Sequence, residues 1–157
     1  MLKIRFIVVD RTRAPFLKEG ESLYLERLRK YARVEWIEVK PVKIEKGRST
    51  EDVLTLEERR IAKRLKPHDY LVSLDRTGQQ YDSQDLSAWL DRLSTNTRDW
   101  VCFTIGGPLG LSKRLLARSH EVLSLSRLTL THEMSRLLLL EQLYRSFTIL
   151  QGQKYHK

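Results

Sequence analysis

The chain has 157 residues, 31% charged and 41% hydrophobic, which is enough for one domain with a sizeable core and too few for two. Its 29 Lys and Arg residues outnumber its 20 Asp and Glu residues, which gives a formal net charge of +9. Such a charge favours a polyanionic partner such as nucleic acid, and the alternative is a basic surface that only keeps the protein soluble. No apolar run approaches the roughly 20 residues of a membrane span, and charges interrupt the apolar N-terminus, so we predict a cytoplasmic protein with no membrane partner.

Hydrophobic patterning predicts strands that alternate with helices along the whole chain. The predicted strands are rich in β-branched and aromatic residues and cover 2–9, 34–39, 70–74, 101–105 and 122–125. The predicted helices cover 17–31, 49–65, 83–93, 112–119 and 133–151. Ser49, three residues before Asp52, is typical of a helix N-cap. This order indicates an α/β fold with a mostly parallel sheet in a single domain, residues 1–157.

The single cysteine, Cys102, lies in the middle of a predicted strand. It has no partner in the chain for a disulfide, which favours a reducing compartment. We predict no metal site.

A glycine-rich loop follows the predicted fourth strand in residues 101–111 (VCFTIGGPLGL). Neither the P-loop pattern nor the dinucleotide pattern GxGxxG is present, and Pro108 lacks the amide that a phosphate would bind. The loop comes at the carboxyl end of a parallel strand, where such sheets bind ligands. Its glycines therefore indicate either close approach of an uncharged or zwitterionic ligand or a tight turn alone.

Two further segments have more than one interpretation. Hydroxyl side chains alternate with leucines over residues 123–131 (LSLSRLTLT), as in a half-exposed strand or a loop around a ligand. The last predicted helix is apolar nearly all round, which predicts burial of a second face. A second subunit would supply that burial, and the alternative is a central helix surrounded by its own chain.

Taken in order, several short motifs resemble the bacterial ribosomal RNA large subunit methyltransferase H family of the SPOUT superfamily. The motifs are LDRTG at 74–78, IGGPLGL at 105–111, LSLSRLTLTH at 123–132, Arg136, EQLYR at 141–145 and a terminal Tyr155, His156 and Lys157. The resemblance covers essentially the whole chain. It implies an α/β fold with a C-terminal trefoil knot, a homodimer, and S-adenosyl-L-methionine-dependent methylation of N3 of a pseudouridine in helix 69 of 23S ribosomal RNA.

The resemblance also implies which residues form the cofactor site. By motif matching, the cofactor would contact main-chain groups in three segments, namely Leu74, Gly106 and the stretch Leu125, Ser126, Arg127, Leu128, Thr129 and Leu130. On this interpretation the glycines clear space beside the ligand. The 123–131 segment is then a loop around the adenine, and the last helix serves both knot and dimer interface.

Two positions depart from the family pattern. Relatives commonly end the first strand with a Gly-Lys-type turn, where this chain has Asp10 and Arg11, and this predicts a changed rim toward RNA. Relatives commonly place proline before the histidine at 132, where this chain has Thr131, and this predicts a looser start of the last helix.

The candidate catalytic and RNA-binding residues lie near the C-terminus. Because the N3 imide must lose its proton, a general base would assist methyl transfer, and His156 beside Tyr155 in a mobile basic tail is the best candidate. Plain RNA binding is the alternative role for His156. Lys157 is predicted to bind RNA, while Arg136 and Arg145 would contact phosphate or form ion pairs between subunits. A non-catalytic ribosome-binding protein is the alternative function.

Overall fold

A computed structural model describes all residues, 1–157. Five strands alternate with five helices. The strands are β1 Lys3–Val9, β2 Arg33–Val39, β3 Tyr70–Gln79, β4 Trp100–Ile105 and β5 Glu121–Leu123. The helices are α1 Pro15–Leu28, α2 Thr50–Ala62, α3 Ser83–Asn96, α4 Lys113–Arg118 and α5 His132–Leu150. The predicted order of strands and helices is therefore confirmed.

The strands form one sheet in the order β2-β1-β4-β3-β5, and every pairing is parallel. A helix lies between each pair of consecutive strands. It carries the chain back to the end of the sheet at which the preceding strand began, so the next strand runs parallel to it. The central strand β4 is buried along its whole length, as expected for a strand covered on both faces. The predicted α/β class with a parallel sheet is confirmed.

Helices cover both faces of the sheet and define two layers. α1, α3 and α5 pack on one face around a core of 20 buried residues that includes Leu28, Leu90 and Leu140. α2 and α4 cover the other face, where Ile61 and Leu115 pack on a smaller core of 9 buried residues. No helix in the chain is both long enough and apolar enough to cross a membrane.

The structure moves several predicted boundaries. β3 extends five residues beyond its predicted end at Leu74, with an irregularity between Leu74 and Gln79 where it pairs with β5. β5 stops at Leu123, so the hydroxyl-rich segment after it is a loop rather than a strand. The predicted N-cap is confirmed, because the Ser49 hydroxyl accepts a hydrogen bond from the Asp52 N–H at 3.0 Å.

The apolar surface of α5 is buried mainly by its own chain. Leu139, Leu140 and Leu143 are fully buried in the large core, and α5 packs against both α1 and α3. The alternative of a central helix surrounded by its own chain is therefore correct for most of α5. Leu138 and Leu150 remain 36% and 42% exposed.

Candidate active site

A cleft of about 960 Å³ lies at the carboxyl ends of β3, β4 and β5. Leu74, Ile105 and Leu123, on these three strands, form its floor. Its walls are the glycine loop after β4, the loop after β5, the first turn of α5, and Phe16 and Leu17 of α1. All these segments follow strand ends or begin helices, so the topology places them at one edge of the sheet.

Most of the residues predicted to bind the cofactor line this cleft. They are Leu74, Gly106, Leu125, Ser126, Leu128, Thr129 and Leu130. The exception is Arg127, which is exposed and does not line the cleft. The three predicted segments, which are distant in sequence, therefore meet at one cleft, while one predicted residue lies outside it.

The glycine loop is shaped by its own backbone. A Cβ at Gly106 would collide with the carbonyl group of Gly110, whereas one at Gly107 would lie 3.3 Å from a methyl group of Val9. Gly110 has φ +80° and donates a hydrogen bond to the Gly107 carbonyl at 3.0 Å. Closure of the loop on itself is therefore sufficient to require glycine at position 106, while space beside a ligand stays a prediction for this residue.

The loop after β5 is held by side-chain to main-chain hydrogen bonds. The Ser124 hydroxyl donates to the Ser126 carbonyl at 3.0 Å, and the Ser126 hydroxyl accepts from the Leu128 N–H at 3.0 Å. The N–H groups of Leu125 and Leu130 make no hydrogen bond within the chain. Serines thus stabilise a turn that leaves main-chain donors beside the cleft.

The turn between β1 and α1 is joined to the cleft by Glu133, which lines the cleft, and Asp10 and Glu133 fix the turn. Asp10 has φ +70°, the conformation that glycine adopts most easily, which is the structural consequence of the Asp10 departure. Burial opposes its ionisation, but hydrogen bonds from Arg13 and from the Arg11 N–H prevail and lower the pKa of Asp10. The Glu133 carboxylate accepts from the N–H groups of Arg13 and Ala14 at 2.6 and 3.1 Å.

Thr131 is the N-cap of α5. Its hydroxyl accepts a hydrogen bond from the Met134 N–H at 3.2 Å. The prediction that Thr131 loosens the start of this helix is therefore wrong, because the cap satisfies a donor that proline would leave without a side-chain partner.

Arg136 is fully buried and does not contact solvent. Its guanidinium donates to the Thr12 hydroxyl at 3.0 Å and to the Val9 carbonyl at 2.5 Å, and Thr12 in turn donates to Glu21 at 2.6 Å. The prediction that Arg136 contacts phosphate or another subunit is wrong, since this network uses it to fasten α5 to β1 and α1.

His132 lines the cleft at the start of α5. Burial, and after it the positive charge of Arg136, lower the pKa of His132. The imidazole is therefore neutral at pH 7.

The C-terminal tail is docked on α5, so the prediction of a mobile tail is wrong. The Tyr155 hydroxyl donates to Glu141 at 3.0 Å and lies 3.1 Å from the Tyr24 hydroxyl. Arg145 lies 4.8 Å above the Tyr155 ring and 2.6 Å from Glu141. The His156 Nδ1 atom is 3.4 Å from the same guanidinium. Burial, and after it the hydrogen bonds with Tyr24 and Glu141, raise the pKa of Tyr155.

The tail residues therefore act as a cluster with Arg145, which the sequence did not indicate. Tyr155 and His156 are half-buried, while Lys157 is exposed. Arg145 covers the ring of Tyr155, and Tyr144 packs against the same ring. The main role of Tyr155 in this structure is therefore to hold the tail on α5.

Sequence reasoning missed several residues of the cleft. Phe16, Asp75, Arg76, Met134 and Ser135 line it, although none was predicted as a site residue. Phe16 could have been found, since it lies between the predicted first strand, which ends at Val9, and the predicted first helix, and such connections lie at the ligand-binding end of a parallel sheet. No cluster of His, Cys, Asp and Glu capable of holding a metal ion is present.

The fold agrees with comparisons to known proteins. Residues 2–156 match the family model described as "Predicted SPOUT methyltransferase". A solved probable methylase family protein from Haemophilus influenzae Rd KW20 superposes with a TM-score of 0.59 at 14% identity, over 100% of this chain and 72% of that one. A probable methyltransferase from Bordetella pertussis Tohama I gives 0.58 at 13%, over 92% and 96%. The class defined by the family match is thus that of the SPOUT methyltransferases.

Relatives of higher identity narrow the class. The chain is 40% identical over 159 residues to Ribosomal RNA large subunit methyltransferase H of Bacillus thuringiensis subsp. konkukian, over 99% of this chain and 100% of that protein. The protein of the same name from Bacillus anthracis is 39% identical over the same shares. The chain therefore belongs to the ribosomal RNA large subunit methyltransferase H family.

Proposed function

We propose that this protein transfers a methyl group from S-adenosyl-L-methionine to 23S ribosomal RNA in the large subunit, at N3 of a pseudouridine in helix 69. The observation that carries the proposal is the cleft at the carboxyl ends of the strands, lined by residues 74–76, 105–110, 125–126 and 128–131 of the motif segments. The relatives named for large-subunit ribosomal RNA methylation support the class of substrate.

The cleft fits S-adenosylmethionine in size and chemistry. Its volume of about 960 Å³ lies within the range of sites that take drug-sized ligands, roughly 300 to 1,000 Å³. Leucines at 74, 123, 125, 128 and 130 offer an apolar surface for the adenine, and the Leu125 and Leu130 N–H groups supply free donors. When bound, the cofactor would supply an electrophilic methyl group.

The chain's own residues would hold and orient the reactants. Phe16, Leu128 and Met134 border the cleft and are exposed, so a flat base or a second protein surface can cover them. Alignment of the nucleophile with the methyl carbon is the main catalytic task. The remaining task is removal of the N3 proton, for which His156 is our candidate general base, with Tyr155 and Arg145 positioning it.

The position of the tail supports a homodimer. His156 contacts Arg145, which lies ten residues along α5 from Ser135 at the cleft, about 15 Å at 1.5 Å per residue. A base so far from its own cleft cannot deprotonate a nucleotide bound there. We therefore propose that the tail of one copy serves the cleft of the other, in a cytoplasmic homodimer with the trefoil knot expected of the family.

The proposal is tested with purified protein and large subunits from a strain that lacks the methylation. Calorimetry should give binding of S-adenosylmethionine but not of NAD(P) or ATP, and mass spectrometry should find one added methyl on the pseudouridine. Binding of the subunits without methylation would instead assign a non-catalytic ribosome-binding protein.

A further inference from the structure

The net positive charge is concentrated on one of the two helical layers. Residues 40–66 and 113–118, here called the basic layer, comprise the loop before α2, α2 with the turn after it, and α4. They hold twelve Lys and Arg against five Asp and Glu, a net charge of +7 out of +9 for the chain. α1, α3 and α5 on the other face hold five against seven.

Buried acids fasten the parts of the basic layer to one another. Glu57 accepts a hydrogen bond from the Val42 N–H at 3.0 Å, which ties the loop to α2. Glu58 accepts from the Ser112 hydroxyl at 3.0 Å, which ties α4 to α2. Arg60 donates to the carbonyl groups of Lys40 and Pro41 at 2.7 and 2.8 Å. Only 5% and 7% of Glu57 and Glu58 are exposed, so these two carboxylates face inward.

Exposed cations cover the outside of this layer. The exposed Lys and Arg side chains are Lys40, Lys43, Lys46, Arg59, Lys63, Arg64, Lys66, Lys113, Arg114 and Arg118. The exposed acids, Glu45, Glu51 and Asp52, lie at the loop and the first turn of α2, away from its basic end. The result is a cationic surface carried by two packed helices and the loop bonded to them.

The basic layer adjoins the cleft. α4 begins at Lys113, three residues after Gly110 of the cleft wall. A Cβ built on Gly107 would lie 3.9 Å from the Glu57 carboxylate, so α2 lies directly behind the glycine loop. A polyanion that crosses this surface can therefore continue to the cleft.

Exposed apolar side chains lie mainly on the other layer and the cleft rim. Phe16 and Leu23 belong to α1, Leu138 and Leu150 to α5, and Leu128 to the rim. The basic layer exposes one large apolar side chain, Ile44. A membrane-binding surface would need several such side chains to insert, so this composition favours a polyanion in water.

We propose that the basic layer is a docking surface for the sugar–phosphate backbone of the substrate RNA, beside the cleft and on the face away from the apolar rim. This inference rests on the proposed function, since it assumes an RNA substrate. Phosphate contacts would fix the register and orientation of the RNA, while the cleft selects the nucleotide. Each copy in a dimer would present one such surface.

The test reverses three exposed charges on the layer, Lys63→Glu, Arg64→Glu and Lys113→Glu. A matched control reverses three exposed charges elsewhere, Lys30→Glu, Arg92→Glu and Arg98→Glu, so that both proteins lose the same net charge. Methyl transfer to large subunits and equilibrium binding of a 23S ribosomal RNA fragment are measured from 50 to 200 mM salt.

We expect the basic-layer variant to raise KM for the subunits at least about tenfold, with kcat and S-adenosylmethionine affinity unchanged. The slope of log K against log salt should fall by about 2 to 3, one unit for each lost phosphate contact. The control should change KM by less than about threefold. A second variant, Lys63→Gln, Arg64→Gln and Lys113→Gln, should show a smaller rise in KM. Because it removes charge without reversing it, it shows whether the effect of the Glu variant comes from misfolding.

The outcomes separate this proposal from the proposed function. If the basic-layer Glu variant and the Glu control have equal KM and equal salt slope, and both still methylate the subunits, the docking proposal is overturned while the proposed function stands. Salt-dependent RNA binding that the basic-layer variant loses, in a protein that never methylates, would support the surface and overturn the methyltransferase proposal. Tighter binding to phosphatidylglycerol vesicles than to RNA would overturn the docking proposal in favour of a membrane.

Discussion

At the scale of single residues, Gly106 shows how one residue type can have two explanations. In sequence, a glycine after a buried strand is consistent with ligand approach and with a closed turn. The Gly110 carbonyl lies where a Cβ on residue 106 would be, so backbone packing is sufficient to require glycine. Gly107 has only side-chain neighbours, the nearest a Val9 methyl group at 3.3 Å from the position of a Cβ, and serves as a natural comparison.

We expect Gly106→Ala to lower the free energy of unfolding by about 2 kcal/mol or more, since the loop must open to admit the methyl group. S-adenosylmethionine affinity should fall with it. Gly107→Ala should cost less than about 1 kcal/mol, because the neighbouring Val9 methyl can shift. Denaturant melts and calorimetry on both variants check this, and equal stability would contradict it.

Cys102 gives a second prediction at this scale. Its thiol is fully buried, and burial, then the negative charge of Asp69, raise its pKa to about 12 against the opposing effect of Arg5. The thiol therefore stays protonated at pH 8, and only the thiolate is nucleophilic. Iodoacetamide at pH 8 should leave the folded protein unlabelled and label it readily in guanidinium. Labelling of the native protein at the rate of a free thiol would exclude this environment.

At the scale of elements, α5 and the tail form one unit. The helix has a hydroxyl N-cap at Thr131, a buried arginine at 136 that binds the end of β1, and a surface cluster of Glu141, Arg145 and Tyr155. The tail is therefore part of the helix surface and contributes to stability.

We expect deletion of residues 155–157 to lower stability by about 1 to 2 kcal/mol, since the Tyr155 hydrogen bonds and its contact with Arg145 are lost. For a domain of this size that is a fall in Tm of about 2 to 8 °C. Deletion of Lys157 alone, which is exposed, is the control and should leave Tm unchanged. A truncated protein with native Tm would show that the docked tail contributes nothing.

His156→Ala separates catalysis from packing in the same unit. The imidazole is bonded only to Arg145, so we expect a Tm within about 2 °C of the native protein. Methyl transfer should fall by at least roughly tenfold if His156 is the base. A pH–rate profile that keeps its native shape in the variant would assign the base elsewhere.

At the scale of the whole molecule, the sheet separates two chemically different layers. One carries most of the positive charge, and the other carries most of the exposed apolar side chains together with the cleft rim. This division is consistent with our proposals that RNA phosphate binds the first layer and a second copy of the chain binds the second.

We expect a dimer in solution that depends on the apolar layer. Phe16 and Leu128 are 70% and 73% exposed, and their replacement by Ser should raise the dimer dissociation constant at least about tenfold. Ile44→Ser, which removes a 58% exposed side chain from the basic layer, is the matched control and should not change it. Light scattering over a concentration series checks this, and a monomeric native protein at micromolar concentration would exclude it.

Local signals in the sequence determined a great deal of this protein. Hydrophobic period and helix caps such as Ser49 predicted every helix and strand, because these signals depend on neighbours within a few residues. The ordered motifs, through the family resemblance, located three of the segments that line the cleft, and these segments meet because the carboxyl ends of parallel strands lie at one end of the sheet.

Only the tertiary structure decided how single side chains are used. Arg136 and Arg145 have the same chemistry and lie on the same helix, yet one is fully buried against β1 while the other holds the tail at the surface. Gly106 is required by a carbonyl four residues away, and α5 is covered by helices from both halves of the chain. Burial and contact depend on what the fold brings together across long sequence separations, and a pattern of residue types does not contain that information.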